Sequence, residues 1–513
     1  MKRIYFLFKK RKVKWLLQNK FNFLLLILLI IFLAIRIAPI TSHFIWRDEN
    51  FIIRWGQIIN KNPAELFVPI ERGGYPPFFP WIVAIVLIFI KDPLIAGRLT
   101  SIVGGVITAV AIYYITLFFS KNKPLGILSV AIFTFLPYSI VLNSFALTDN
   151  LVVAMGTLSI LFVIYLYQSK KAYWIVPLAF SIAFAMMSKT TGVVYLYLLP
   201  LILVFPAARN KKMAFYLVIT FILTNLIYSF LKLSPMYEHI LWLNGGVAYT
   251  KREFIKLPLL TIISHTARTL SSVSNFILVL FPLSYALLLF FGLFSRNKSA
   301  ILFLLGYSFF PLLIISAFSK SEVLAPRHIY LTTITLIPIV SLGLFEIVKK
   351  FRASFFQYRH LFIILITILT FYTPLKFAYN FIFYPSNANV SFEFEKFYDY
   401  CQSNGAIFTS TKYFENQAAS NKVYIYTNCN KNFDEIGDEL SMYLEGKKNI
   451  TIIGGDCKNT DILKKAMFPS INGKKFVAYN FADNFKPDQR YQLKQSYCTE
   501  RQNYDYRVYE KIN

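Results

Sequence analysis

The chain has 513 residues, 56% of them hydrophobic and only 16% charged, with a mean hydropathy of +0.50. Soluble domains carry nearer a quarter charged residues, so the composition excludes a soluble globular protein and points to a polytopic α-helical membrane protein. A net charge of +28 would suit a nucleic-acid binder, but the basic residues sit between apolar runs, which leaves membrane lipids and not nucleic acid as the partner; the 52 Phe and 33 Tyr suit lipid-facing surfaces and interfacial belts.

Residues 1–20 carry eight Lys or Arg and no acid, and they precede an apolar run over 21–40. This reads as a cytoplasmic anchor; the apolar run is too long for the h-region of a cleaved signal peptide and lacks a small-residue cleavage site. Further apolar windows follow near 94–119, 125–146, 151–168, 174–188, 190–207, 213–233, 273–294, 300–319, 328–348 and 361–382, which makes about eleven transmembrane helices. With the N-terminus inside, the inner segments hold 21 Lys or Arg and no Asp or Glu, the expected bias for an integral inner-membrane protein. The apolar part of 75–90 beyond Pro80 is only about ten residues long, so 80–90 is expected to lie along the outer face, with 49–60 as a second juxtamembrane helix.

The acids locate the chemistry. Asp48, Glu49, Glu65, Glu71, Asp92, Asp149, Glu238, Glu253 and Glu322 all fall on the outer face in this threading, so acid–base chemistry is expected to be extracytoplasmic. From 384 the apolar runs stop. The sequence then divides into a cytoplasmic segment 1–20, a membrane domain 21–383 and an outer α/β domain 384–513, in which "GAIFTS", "KVYIYT", "NITIIGG" and "KKFVAY" read as strands and "FDEIGDELSMYLEG" as a helix. All four cysteines (Cys401, Cys429, Cys457, Cys498) lie in this last segment, where an oxidising compartment permits three pairings; their spacing forms no zinc knuckle. No Walker loop, HExxH, GxSxG or GxGxxG motif is present, and neither a metal nor a cofactor is expected.

Ionisable residues gather at outer span ends: Asp48 with Glu49, Arg98 one turn inside the second span, Asp149 in "LTDN", Lys189 in "SKTTG" and Arg327 before the tenth span. Taken singly each has a structural reading, as helix N-terminus, cap, snorkelling cation or loop ion pair. Arg98 resists it most, because a cation inside an apolar helix needs an anion nearby. Together they match what a transferase with a lipid-phosphate donor requires. A carboxylate takes the proton of an attacking hydroxyl, and cations stabilise the departing phosphate.

The order Asp48–Glu49, "GYPP", "AGRLTSIVGG", "LTDN", "SKTTG" and Arg327 before a Tyr-containing span resembles the GT-C fold glycosyltransferases, in the branch of protein O-mannosyltransferases and aminoarabinose transferases, over 21 to about 348. The resemblance implies a GT-C fold and an inverting transfer of sugar from a polyprenyl-phosphate donor to a glycan, lipid or protein acceptor. It carries the catalytic base onto Asp48 with Glu49 beside it, a second acidic site residue onto Asp149, lipid-phosphate binding onto Arg98, and donor contacts onto Lys189 and Arg327. The sequence departs from the pattern at Tyr75, often His before the Pro-Pro pair, and at His328, which interrupts the Arg–Tyr element; Arg72 and Tyr75 complete the expected substrate-binding set. The alternatives are a transporter or flippase of lipid-linked glycans and a membrane scaffold. Neither explains carboxylates confined to one face.

Overall fold

In the computed structural model, the described residues are 20–41, 45–295, 297–321, 326–354, 359–384, 405–427, 435–454, 474–480, 491–497 and 506–512. The basic stretch 1–19, Glu322 and the four cysteines lie outside them. The chain divides into two compact units, one of 1–39, 101–144 and 148–389, the other of 40–100, 145–147 and 390–513.

The first unit is helical. In chain order it holds α1 (Lys20–Ile37), most of α5 (Pro93–Ser120), α6 (Lys123–Phe135), α7 (Pro137–Ser144), α8 (Thr148–Ser169), α9 (Ile175–Ser188), α10 (Val194–Tyr197) and α11 (Lys211–Tyr228). It continues through α12 (Lys251–Lys256), α13 (Leu259–Leu280), α14 (Leu283–Gly292), α15 (Lys298–Phe318), α16 (Pro326–Ser354) and α17 (Arg359–Phe383). Among the described residues six helices are long and apolar enough to cross a membrane, and a seventh span results if the bent pair α6 and α7 counts as one. The protein is an integral membrane protein.

The other apolar windows form shorter or interrupted helices, and the breaks have local causes. α6 and α7 meet at 63° because Pro137 offers no N–H and forces Leu136 into extended backbone (ψ 118°). Pro282 separates α13 from α14 in the same way, and the window 190–207 becomes α10 followed by 3₁₀ turns that begin at Leu199–Pro200 and Pro206.

Hydroxyls inside this unit find partners locally and across helices, as lipid surroundings favour. Thr108 of α5 donates to the carbonyl of Gly104 one turn back, while Thr116 donates to Ser129 of α6 and Ser129 to Ser341 of α16 at 2.9 Å each.

The second unit holds α2 (Arg47–Lys61), α3 (Val68–Gly73), α4 (Phe78–Phe89), the first turns of α5, and the C-terminal mixed sheet with two helices. α4 is as short as expected, ending at Phe89. It packs along α2, where a Cβ on Gly56 would come within 2.6 Å of Val83, and Asn60 donates to the Ala84 carbonyl at 2.8 Å.

In the tail, α18 (Gly405–Ala418), β1 (Val423–Thr427), α19 (Glu435–Leu444), β2 (Ile450–Gly454), β3 (Lys474–Asn480), β4 (Tyr491–Tyr497) and β5 (Tyr506–Lys511) make a sheet of order β2-β1-β3-β5-β4. β1 is parallel to β2 and β3, and β5 is antiparallel to β3 and β4. The stretch "GAIFTS" is helical and not a strand. Ile407, Phe414 and Ala418 are spaced to bury one stripe of α18 against Val423, Ile425 and Phe476, so the helical period over 405–418 overrides the β-branched start. β1, β2, β3 and α19 stand where the sequence placed them.

Candidate active site

Two polar clusters, one in each unit, take up most of the residues singled out above.

In the second unit, Asp48 and Glu49 open α2. Glu49 is completely buried: its two carboxylate oxygens each accept a 2.9 Å bond from Arg98, one from Nε and one from Nη2. Two backbone donors complete its shell, Trp46 N at 3.0 Å, which caps the helix, and Ala146 N at 2.7 Å. Arg98 is equally buried, donates also to the Ile40 carbonyl at 2.7 Å and lies 5.0 Å from the Phe145 ring centroid. This is the anion that a cation one turn inside an apolar helix requires. Gly97 lets α5 come this close, since a Cβ there would stand 2.5 Å from Ile53 and 3.1 Å from Ala146. Asp48 is half-buried, one residue before this pair, in the first turn of α2, where the helix dipole favours a carboxylate.

The far half of α2 is held by the tail. Arg54 and Lys61 both pair with Glu445, at the end of α19, Lys61 at 2.6 Å, and Gln57 donates to the Met442 carbonyl at 3.0 Å. Partial burial raises the Glu445 carboxyl, but the hydrogen bonds and charges of Arg54 and Lys61 outweigh it and hold it down to about 2. Below α2, Gly73 makes room for Trp55, whose ring lies 5.7 Å from that of Tyr75, and Gly74 ends α3 in the left-handed region (φ 67°), which turns the chain into "YPP". Tyr75 is half-buried and Arg72 exposed.

In the first unit, Asp149 sits in the first turn of α8 and is buried, with Lys189 Nζ on its Oδ1 at 2.7 Å. Lys189 follows α9 in extended backbone, and the chain turns back so tightly that a Cβ on Gly192 would come within 2.3 Å of the Ala185 carbonyl. That approach explains the glycine of "SKTTG". Arg327 and His328, at the start of α16, act electrostatically on Asp149 together with Lys189. The cluster therefore brings two permanent cations and an imidazole to one carboxylate, an excess of positive charge suited to an anion. Among the described residues no group of three or more His, Cys, Asp or Glu side chains is placed to hold a metal ion.

Two participants escape sequence reasoning. His328 looks like an interruption of a motif, yet it belongs to the Asp149 cluster. Arg36, buried in α1, carries the same signal as Arg98, a cation within an apolar run.

Residues 75–229 match the family model of dolichyl-phosphate-mannose-protein mannosyltransferases. No curated protein matches the sequence. Among solved structures, ArnT from Cupriavidus metallidurans in the apo state is 12% identical, covers 98% of this chain and 98% of its own, and superposes with a TM-score of 0.54. The same protein bound to undecaprenyl phosphate is 11% identical over 96% of this chain and 98% of its own, also with a TM-score of 0.54. The chain has the GT-C glycosyltransferase fold. The GT-C fold and the likeness to protein mannosyltransferases and ArnT agree with the resemblance carried by the sequence motifs, and the family match, over 75–229, begins within "GYPP" and spans "AGRLTSIVGG", "LTDN" and "SKTTG".

Proposed function

We propose that the protein transfers a sugar from a polyprenyl-phosphate donor to an acceptor on the extracytoplasmic face of the membrane, with inversion at the anomeric carbon. The observation that carries this reading is the Asp149 cluster, in which Lys189 pairs with the buried carboxylate at 2.7 Å while Arg327 and His328 lie within electrostatic reach of it. ArnT, whose fold this chain shares, has been crystallised with undecaprenyl phosphate, which supports a polyprenyl phosphate as the lipid partner.

In the reaction, an acceptor hydroxyl attacks the anomeric carbon, the bond from that carbon to the phosphate oxygen breaks, and polyprenyl phosphate leaves. Asp48 takes the hydroxyl proton. A carboxylate is a weak base, so its contribution is position. Lys189 and Arg327 neutralise the phosphate, with Asp149 fixing Lys189; Arg72 and Tyr75 supply further donor contacts. Glu49 and Arg98 receive a different task from the direct contacts implied by resemblance. Each is buried and turned on the other, so they hold the turn that carries Asp48.

The test is a panel of radiolabelled polyprenyl-phosphate sugars supplied to sealed vesicles of both orientations. Label passing from one donor to an acceptor on the extracytoplasmic side, with inverted anomeric configuration, is the expected result. Movement of intact donor across the bilayer without cleavage would replace this reading with transport.

A further inference from the structure

Arg36 is completely buried in α1, and among the described residues its guanidinium meets no carboxylate. Its acceptors are neutral: the Phe32 carbonyl at 3.2 Å, the Thr134 carbonyl at 3.2 Å and Ser139 Oγ at 2.8 Å. The guanidinium carbon lies 3.5 Å from the centre of the Phe32 ring, which stacks on Phe133. A cation held this way inside a membrane helix is costly and marks a functional position.

The acceptors show what it does. Thr134 lies in the last turn of α6, where carbonyls have no helical partner and the dipole is negative, and Ser139 lies in the first turn of α7. One Nη2 therefore bridges the 63° break between the two helices. One turn beyond Ser139, Asn143 donates to the Ser139 carbonyl at 2.7 Å and to the Tyr330 hydroxyl at 2.8 Å. Gly105 of α5 closes the network, since a Cβ there would stand 2.5 Å from both Asn143 and Phe32. Tyr330 is buried, its ring perpendicular to that of Tyr138 at 5.4 Å, and it lies one helical turn after Arg327.

We propose that Arg36 is a positioning residue for polyprenyl-phosphate binding, acting through Ser139, Asn143 and Tyr330 on the turn of α16 that presents Arg327 and His328. The inference rests on the proposed function, which assigns the phosphate to that turn. Arg36 does not touch the phosphate. It sets the angle of the α6–α7 break, and the hydrogen-bonded chain transmits that angle to α16.

The experiment measures binding of undecaprenyl phosphate, by intrinsic tryptophan fluorescence, to detergent-solubilised wild type and to Arg36→Gln, Arg36→Lys and Tyr330→Phe, with thermal unfolding of each. Tyr330→Phe removes only the hydroxyl that accepts from Asn143 and keeps the test open if the Arg36 variants fail to fold. Expected is a dissociation constant raised about 5- to 10-fold in Tyr330→Phe and Arg36→Gln. Arg36→Lys is expected to recover little, because an ammonium cannot reproduce the guanidinium fork, and Arg36→Gln with Tyr330→Phe should be no worse than the weaker single variant. Unchanged affinity in Tyr330→Phe, or lowered thermal stability with wild-type affinity in the Arg36 variants, would overturn the inference. Failure of the wild type itself to bind would instead remove the proposed function on which it rests.

Discussion

Glu49 and Arg98 form a two-point ion pair, 2.9 Å at each contact, with neither side chain exposed at all. The pair joins the start of α2 to the first turns of α5, and the two backbone N–H donors on Glu49 leave its carboxylate fully used. A buried pair of this kind is worth more as a geometric constraint than as net stability.

Breaking it from one side strands a charge. Arg98→Ala is expected to destabilise the protein by about 3–5 kcal/mol, because Glu49 is left buried without its partner. The combined change Glu49→Gln with Arg98→Met should recover part of that loss. Thermal unfolding of the solubilised variants measures both; an Arg98→Ala protein as stable as wild type would show that the pair is dispensable.

Lys189 is predicted to act on donor affinity. Lys189→Ala removes a charge-assisted hydrogen bond to Asp149 and one cation of the cluster, an effect of about 1.5–3 kcal/mol, or roughly 10- to 100-fold in donor KM. Steady-state kinetics with the donor varied reads this directly, and a fall in kcat at unchanged KM would contradict the assignment.

The contact between α2 and the tail is predicted to be acid-sensitive. Glu445 is held down to about 2 by Arg54 and Lys61 against an ordinary value of 4.5. Its contribution is therefore complete above about 4.5 and is lost as pH falls towards 2, where the carboxyl protonates. The side chain is 41% exposed, so screening keeps the contribution small. Hydrogen exchange in α19 should rise as pH is lowered from 6 to 3 after correction for intrinsic rates, and Glu445→Gln should show the raised exchange already at pH 6.

Gly105→Ala tests the packing of "AGRLTSIVGG". The added Cβ would press on Asn143 Oδ1 and Phe32, and overpacking of this kind costs about 1–3 kcal/mol. Thermal unfolding at wild-type temperature in Gly105→Ala would mean that α5 can shift away at no cost.

Much of this was legible in the sequence because its signals are local. An apolar run long enough to span is visible without neighbours, and so is an adjacent Asp48–Glu49 pair beyond the end of one. Asp149 and Lys189 are likewise visible singly, each as an ionisable residue in a short turn. What a single sequence does not reveal is pairing at a distance. Glu49 and Arg98 are 49 positions apart, and nothing in either neighbourhood tells that one exists for the other. The same holds for Arg54 and Glu445, and for Arg36 with Ser139. In the tail, "GAIFTS" carried β-branched residues in a window too short to show its helical period, whereas β4 and β5, in "YQLKQSY" and "YRVYEK", have polar residues that mask their alternation.

The central claim is that Asp48 takes the acceptor proton while Glu49 and Arg98 only hold its turn. The most direct measurement is sugar transfer from the preferred polyprenyl-phosphate donor by purified Asp48→Asn beside wild type, with thermal unfolding to verify that the turn is intact. The account predicts transfer reduced at least about 100-fold at unchanged stability. Turnover at the wild-type rate by a folded Asp48→Asn protein would contradict it and move the base elsewhere.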